Sequence, residues 1–249
     1  MKSKKKRYIF LAIVILVLVA AEIIVQPVRA LLAITSMRPL DTQEVIPGVF
    51  AVKNSYVNLY LLKNDGEYIA FDAGSNIKAT RAALSGLGIT ESDITAVFLT
   101  HTDYDHVASL PCFSSAEIYM AQSNKEFLEN SPGRSKAFID MEKPYNTLAD
   151  GGSVTVANTQ MQCVFTPGHT DGSACYIVNG KYLFSGDNLS LKDGRAGLFN
   201  AVFNISGEEQ TQSIFKLAKT EGMEDMEALF TMHYGYTADV RAAFADWRH

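Results

Sequence analysis

Thr100 to Val107 reads Thr-His-Thr-Asp-Tyr-Asp-His-Val and places four possible metal ligands within six residues: His101, Asp103, Asp105 and His106. Imidazole and carboxylate together suit zinc, iron or manganese. The preceding run, Ile94 to Leu99, is Ile-Thr-Ala-Val-Phe-Leu. It is short, apolar and β-branched, the pattern of a buried strand. The four residues therefore leave a strand end on a tight loop, which can aim several side chains at one point. A solvated polar loop also contains His and Asp, but four donors directly after a buried strand point to a metal site.

Three later turns offer further ligands. They are Thr166-Pro167-Gly168-His169-Thr170, Ser185-Gly186-Asp187 and Met232-His233-Tyr234-Gly235. Taken singly, each has a plain reading: a polar residue on a turn, an ordinary turn aspartate, a surface histidine. Pro167-Gly168 bends the chain sharply before His169, and Asp187 and His233 both follow strand-like runs. Their shared context after the first cluster favours ligands.

The set resembles the metallo-β-lactamase-fold superfamily, whose signature is His-x-His-x-Asp-His, and the resemblance runs from about Val45 to the C-terminus. Members of that family carry later ligands in a Gly-His-Thr turn, a Gly-Asp turn and a C-terminal histidine, and this chain has all three in order. The departure is Asp103, which stands at the second histidine of the signature. The resemblance implies a four-layer αβ/βα sandwich of two mixed sheets with helices outside. It implies two divalent cations, the first held by His101, Asp103 and His169 and the second by Asp105, His106 and His233, with Asp187 bridging. Zinc is the expected metal, with iron or manganese as alternatives at the site containing Asp103. A hydroxide between the cations would be the nucleophile, and Asp105 would orient it as well as bind. Asp72, in Asp72-Ala73-Gly74, resembles the family's second short motif and is expected to support the metal loop by hydrogen bonds rather than to bind metal.

An aspartate bridge resembles the glyoxalase II, lactonase and phosphodiesterase branches more than true β-lactamases. The expectation is a hydrolase acting on an ester-like or phosphodiester bond of a small molecule. Two other readings stay open. His101, His169 and Asp187 form a two-histidine, one-carboxylate set that suits non-haem iron, as in an oxidoreductase of the persulfide dioxygenase type. Alternatively, Asp103 marks a decayed site in a non-catalytic metal-binding module. Tyr234 and Tyr236 are expected to line the pocket, and the terminal His249 to take no part.

The elements that must position these residues follow from periodicity and turn signals. Strands are expected at Val49 to Val52, Tyr56 to Leu62, Tyr68 to Asp72, Ile94 to Leu99, Glu117 to Ala121, Ser153 to Val156, Met161 to Phe165, Ala174 to Val178, Lys181 to Phe184 and Ala228 to Thr231. Helices are expected at Lys78 to Leu87, from about His106 until Pro111 cuts it short, and at Gln122 to Asn130, Gly207 to Lys219 and Asp239 to Trp247. Asn64-Asp65-Gly66 and Asn179-Gly180 are hairpin turns. Ser131 to Pro144 reads as an irregular segment at the mouth of the site.

Hydrophobic residues make up 47% of the 249, enough for a sizeable core. The net charge of −5 is uneven: residues 1–38 carry seven Lys or Arg and one acid. The remainder is strongly acidic, which does not suit a nucleic-acid backbone. Lys2 to Arg7 is followed by Tyr8 to Ala21 without a charge, then by Glu22 and Ile23-Ile24-Val25. A basic flank before an apolar run is an export pattern. Residues 1–25 are therefore expected to form a signal anchor or transmembrane segment, with passable cleavage sites at Val19-Ala20-Ala21 and Val28-Arg29-Ala30. Residues 26–44 would be a stalk, and 45–249 a catalytic domain outside the cytoplasm. Cys112, Cys163 and Cys175 are expected to be buried free thiols, although Cys163 and Cys175 flank the His169 turn and could pair.

Overall fold

The computed structural model describes residues 2–130, 139 and 144–248. The chain divides into two compact units, residues 1–36 and 37–249. The first is one helix, α1 (Lys2–Ser36). It runs through Pro27 and continues over residues expected to be an irregular stalk. The structure does not support the membrane-spanning anchor: among the described residues, no helix is long and apolar enough to cross a membrane. The physical reason lies in the charges. Fourteen uncharged residues separate Arg7 from Glu22, about 21 Å of helix against a hydrocarbon core of about 30 Å.

The second unit holds two sheets. In the first, strands β1 (Gln43–Ile46), β2 (Val49–Asn54), β3 (Val57–Asn64), β4 (Glu67–Phe71), β5 (Ile94–Leu99), β6 (Glu117–Ala121) and β7 (Asn146–Leu148) lie side by side in chain order. Pairing is antiparallel from β1 to β4 and parallel from β4 to β7. Asp65 and Gly66 take positive φ of 49° and 88° in the two-residue turn joining β3 to β4. Crossovers carry α2 (Ile77–Gly86), the short α3 (Tyr104–Val107) and α4 (Gln122–Asn130). Residues 37–44 are tied to both sheets rather than hanging free. Asn58 accepts from the Leu40 amide and donates back to its carbonyl, and Arg38 N–H donates to the His233 carbonyl.

The second sheet contains β8 (Ser153–Val156), β9 (Thr159–Phe165), β10 (Ala174–Val178) and β11 (Tyr182–Phe184), and a separate small hairpin, β12 (Ser190–Lys192) with β13 (Arg195–Gly197), follows them in the chain. Beyond α5 (Gly207–Ala218), strands β14 (Ala228–Thr231) and β15 (Gly235–Thr237) complete the six-stranded sheet in the order β15-β14-β11-β10-β9-β8. Within this sheet, among the described residues, only β11 and β14 pair in parallel. The last expected helix is broken: α6 (Val240–Ala243) ends at Phe244 and a 3₁₀ turn, Ala245–Trp247, follows.

Alternation along the strands separates three apolar layers. Tyr60, Phe71, Phe98, Cys163, Tyr176, Phe184 and Phe230 meet between the sheets. Leu59, Leu61, Val97 and Leu99 face α2 and the other outer segments of the first sheet. Cys175, Ile177 and Leu229 pack with Ile214 and Leu217 of α5 and Val240 of α6. The result is the expected four-layer αβ/βα sandwich. Phe71 stacks on Phe184 with ring centroids 3.7 Å apart, and Phe184 stacks on Phe230 at 4.8 Å, so aromatic contacts join the sheets. Cys163 pairs across the ladder with Tyr176 and Cys175 with Val164. The two cysteines therefore point to opposite faces of one sheet, and all three thiols are free and buried. The expected irregular stretch Ser131 to Pro144 lies largely outside the described residues, as does His249.

Candidate metal centre

Strands β9, β11 and β14 run in one direction, with antiparallel β10 among them, so their C-terminal ends share one edge of the second sheet. The end of β5 meets that edge. Tyr176 Oη donates to the Leu99 carbonyl at 2.9 Å, and the Ala174 amide donates to the Thr100 carbonyl at 2.8 Å. His101 and Asp103 follow β5 directly. Asp103 caps α3, which carries Asp105 and His106. His169 sits in the turn after β9, Asp187 in a 3₁₀ turn after β11, and His233 after β14. Gly186 permits a close approach: a Cβ there would lie 2.4 Å from Thr100 Oγ1, and its φ of +57° disfavours side chains.

All seven expected ligands converge. Asp187 divides them. Its Oδ2 lies 3.9 Å from His101 Nε2 and 3.5 Å from His169 Nε2, while its Oδ1 lies 3.5 Å from His106 Nε2 and 3.2 Å from His233 Nε2. Asp103 Oδ2 closes the first group, 3.8 Å from His101 Nε2 and 3.2 Å from His169 Nε2. Asp105 Oδ2 closes the second, 3.7 Å from His106 Nε2 and 3.4 Å from His233 Nε2. Ligands about 2.1 Å from a tetrahedral cation stand about 3.4 Å from one another, so each group has the span of one coordination shell. Each offers two imidazoles, one private carboxylate and one oxygen of Asp187.

Each of the four histidines at the centre is aimed by its other nitrogen. His106 Nδ1 bonds Asp72 Oδ2 at 2.8 Å, His233 Nδ1 the Tyr56 carbonyl at 2.8 Å, His169 Nδ1 the Asn204 Oδ1 at 3.1 Å, and His101 Nδ1 the Thr100 hydroxyl at 3.1 Å. This leaves Nε2 of each facing the centre. His101, His106 and His233 Nε2 and Asp187 Oδ1 are buried and have no hydrogen-bond partner. Buried polar atoms are rarely left so, and a bound divalent cation would satisfy them. Asp72 is also within reach of His101 and His106 as a third cluster. Its oxygens, however, already accept from the Thr100 amide, the Thr100 hydroxyl and His106, each at 2.8 Å.

Electrostatics agree with the geometry. Burial would raise the Asp187 carboxyl, but His233 and His106 outweigh it and hold it well below the usual carboxylate range. Burial lowers the His101 imidazole, and the neighbouring His106 and His169 lower it further. Burial also works against charged His106 and His233, yet the facing carboxylates, Asp187 foremost, raise both.

The surrounding wall is aromatic. Tyr56 stacks on His233 at 5.9 Å, and Phe199 meets His169 edge-on at 5.1 Å and His233 at 5.4 Å. Tyr234 joins this wall through Phe199 at 6.0 Å. Tyr236 does not: it stacks on Phe230 at 5.6 Å in the layer between the sheets, because alternation after Gly235 turns it inward. Tyr56 and Phe199 were not singled out from the sequence. Neither lies in a motif, and their contacts to His233 form only in the folded chain.

Two packed sheets with helices outside, and a His/Asp cluster at one shared edge, define a metallo-hydrolase type of fold. The chain belongs to the metallo-beta-lactamase superfamily, whose family model matches residues 52–244. It is 31% identical over 130 residues to "Probable polyketide biosynthesis zinc-dependent hydrolase PksB" of Bacillus subtilis (strain 168), a match covering 47% of this chain and 53% of that protein. The chain thus spans about half the length of that relative. It is 25% identical over 203 residues to the hydroxyacylglutathione hydrolase of Salmonella typhi, covering 80% of this chain and 69% of that one. Among solved structures, a metallo-beta-lactamase family protein of Thermus thermophilus superposes with a TM-score of 0.61 at 23% identity, covering 81% of this chain and 78% of the other.

Proposed function

We propose that this protein is a hydrolase that uses two divalent cations, most simply zinc, to cleave an ester-like or phosphodiester bond in a small molecule. The observation that carries this reading is Asp187, whose two oxygens each face a separate group of two imidazoles and one further carboxylate. The second group is as complete as the first, which favours two cations over a single non-haem iron and argues against a decayed site. Relatives named as a zinc-dependent hydrolase and as a hydroxyacylglutathione hydrolase support hydrolysis.

Bound divalent cations supply Lewis acidity and bring the pKa of water toward neutrality. The chain's own residues do the rest. His101, Asp103 and His169 would hold one cation, Asp105, His106 and His233 the other, and Asp187 both. Three carboxylates offset most of the charge of two divalent ions. Asp105 is partly exposed, with its side chain 17% accessible, so it can accept a hydrogen bond from an attacking water. Tyr56 keeps its proton, since burial and then Asp105 raise its phenol pKa, and it can donate to a substrate oxygen.

The basic and apolar N-terminal sequence supports placing the domain outside the cytoplasm. Protease treatment of intact cells tests that: loss of the domain agrees, full protection contradicts. For the activity, the full chain is assayed against thioester, lactone, phosphodiester, β-lactam and persulfide substrates, with oxygen uptake followed for the last, before and after chelation. Turnover of an ester-like or phosphodiester compound that chelation abolishes and zinc or manganese restores is the expected result. Turnover of only a persulfide with oxygen uptake would replace this reading with the iron one.

A further inference from the structure

One side chain links three parts of the centre. Asn204 Oδ1 meets His169 Nδ1 at 3.1 Å. Its Nδ2 donates to the Phe199 carbonyl at 3.1 Å and to Gln210 Oε1 at 2.7 Å. Gln210 is fully buried and in turn donates to the Asp187 carbonyl at 3.2 Å. The same segment is fastened to the His169 turn along its backbone. Ile205 N–H donates to the His169 carbonyl at 3.1 Å, and Ser206 N–H donates to the Gly168 carbonyl at 2.8 Å. A Cβ on Gly168 would lie 2.2 Å from the Gln210 nitrogen, so the turn and the start of α5 are in closest contact.

We propose that Asn204 is a positioning residue that joins the His169 turn, the Phe199 wall and the Asp187 backbone into one unit, so that loading the His101–Asp103–His169 subsite also fixes the aromatic wall of the cleft. This rests on the two-cation reading above. The amide is suited to the task because it both accepts and donates. Its oxygen holds His169 in the tautomer that leaves Nε2 free for a cation. Its NH2 group holds the Phe199 carbonyl and, through Gln210, the turn that carries Asp187. The coupling works in both directions: a cation that fixes His169 fixes residues 198–206, and loosening that segment frees His169.

The test compares the full wild-type chain with Asn204→Leu and Asn204→Asp. Cobalt titration reads each subsite by its absorption, and amide hydrogen exchange reads residues 198–206 with and without metal. In the wild type, metal should slow exchange at Ile205 and Ser206. Asn204→Leu removes both functions: cobalt should bind at one subsite at least tenfold more weakly, and metal should no longer slow those amides. Asn204→Asp retains the acceptor but not the donors. It should hold cobalt within about threefold of wild type while residues 198–206 exchange faster. Should Asn204→Leu fail to fold, the Asn204→Asp pattern decides. If the variants load cobalt and protect these amides as the wild type does, the inference is overturned while the two-cation reading stands. A wild-type chain that takes up no metal overturns both.

Discussion

Asp72 accepts three hydrogen bonds at full burial and meets the candidate metal centre directly at His106 and, by way of the Thr100 hydroxyl, at His101, so its replacement separates folding from metal binding. Asp72→Ala leaves the Thr100 amide and His106 Nδ1 without acceptors; in the metal-free chain the Thr100 hydroxyl can donate instead to His101 Nδ1 once that imidazole carries its proton on Nε2. An orphaned buried donor costs about 1–3 kcal/mol, so the two together cost about 2–6 kcal/mol, a large part of the typical total of about 5–15 kcal/mol. At about 2–4 °C per kcal/mol for a chain of this size, the metal-free melting temperature should fall by about 5–20 °C. Asp72→Asn behaves differently. Whichever way its amide turns, the NH2 group faces a donor, either the Thr100 amide or His106 Nδ1. With His106 opposite the NH2, the imidazole must carry its proton on Nε2, the atom a cation needs. Stability should drop by less than in the alanine variant, while metal affinity at the His106 subsite falls about 10–100-fold. Calorimetric melting of the metal-free chains and zinc titration provide both readings. An Asn variant that melts and loads zinc as the wild type does would refute the role assigned to Asp72.

Asp103→His restores a nitrogen donor between His101 and His169, so zinc should bind that subsite more tightly relative to manganese; a competition titration in which the preference is unchanged would show that Asp103 does not bind. Gly168→Ala drives a methyl into the Gln210 backbone at a φ of +131° and should lower stability by about 2 kcal/mol or more, read as a lower urea midpoint. Burial pushes the Cys163 and Cys175 thiols up to about 12 from 9.0. A raised folded pKa means stability that is complete below pH 9 and lost as pH rises toward 12. The native chain should therefore resist thiol-reactive dye at pH 8 and lose stability steadily above pH 9, less so in a Cys163→Ala, Cys175→Ala double variant.

The clustering of the seven candidate residues was legible because each follows a strand-like run and several His and Asp recur in that one context. Strands such as Ile94–Leu99, Glu117–Ala121 and Ala174–Val178 matched expectation to the residue, since apolar runs bounded by turn signals leave little choice. The strands not expected are β1, β7, β12, β13 and β15. Each has only three or four residues and a mixed polar composition, so cross-strand pairing makes them rather than intrinsic pattern. The supporting contacts were hidden for a different reason. His169 and Asn204 are 35 residues apart, and His233 reaches the Tyr56 carbonyl across 177. A side chain bonded to a distant backbone group leaves no periodicity to read. The N-terminal segment shows the reverse case: apolar composition suggested a spanning helix, but the spacing of Arg7 and Glu22 limits the uncharged length.

The central claim is that one aspartate serves two cation sites, and metal content by elemental mass spectrometry of the full chain tests it most directly. The wild type is predicted to hold two divalent ions per chain, and Asp187→Ala to hold fewer than one while its circular dichroism stays that of a folded protein. A wild type that never exceeds one ion, or an Asp187→Ala chain that keeps two, would contradict the account.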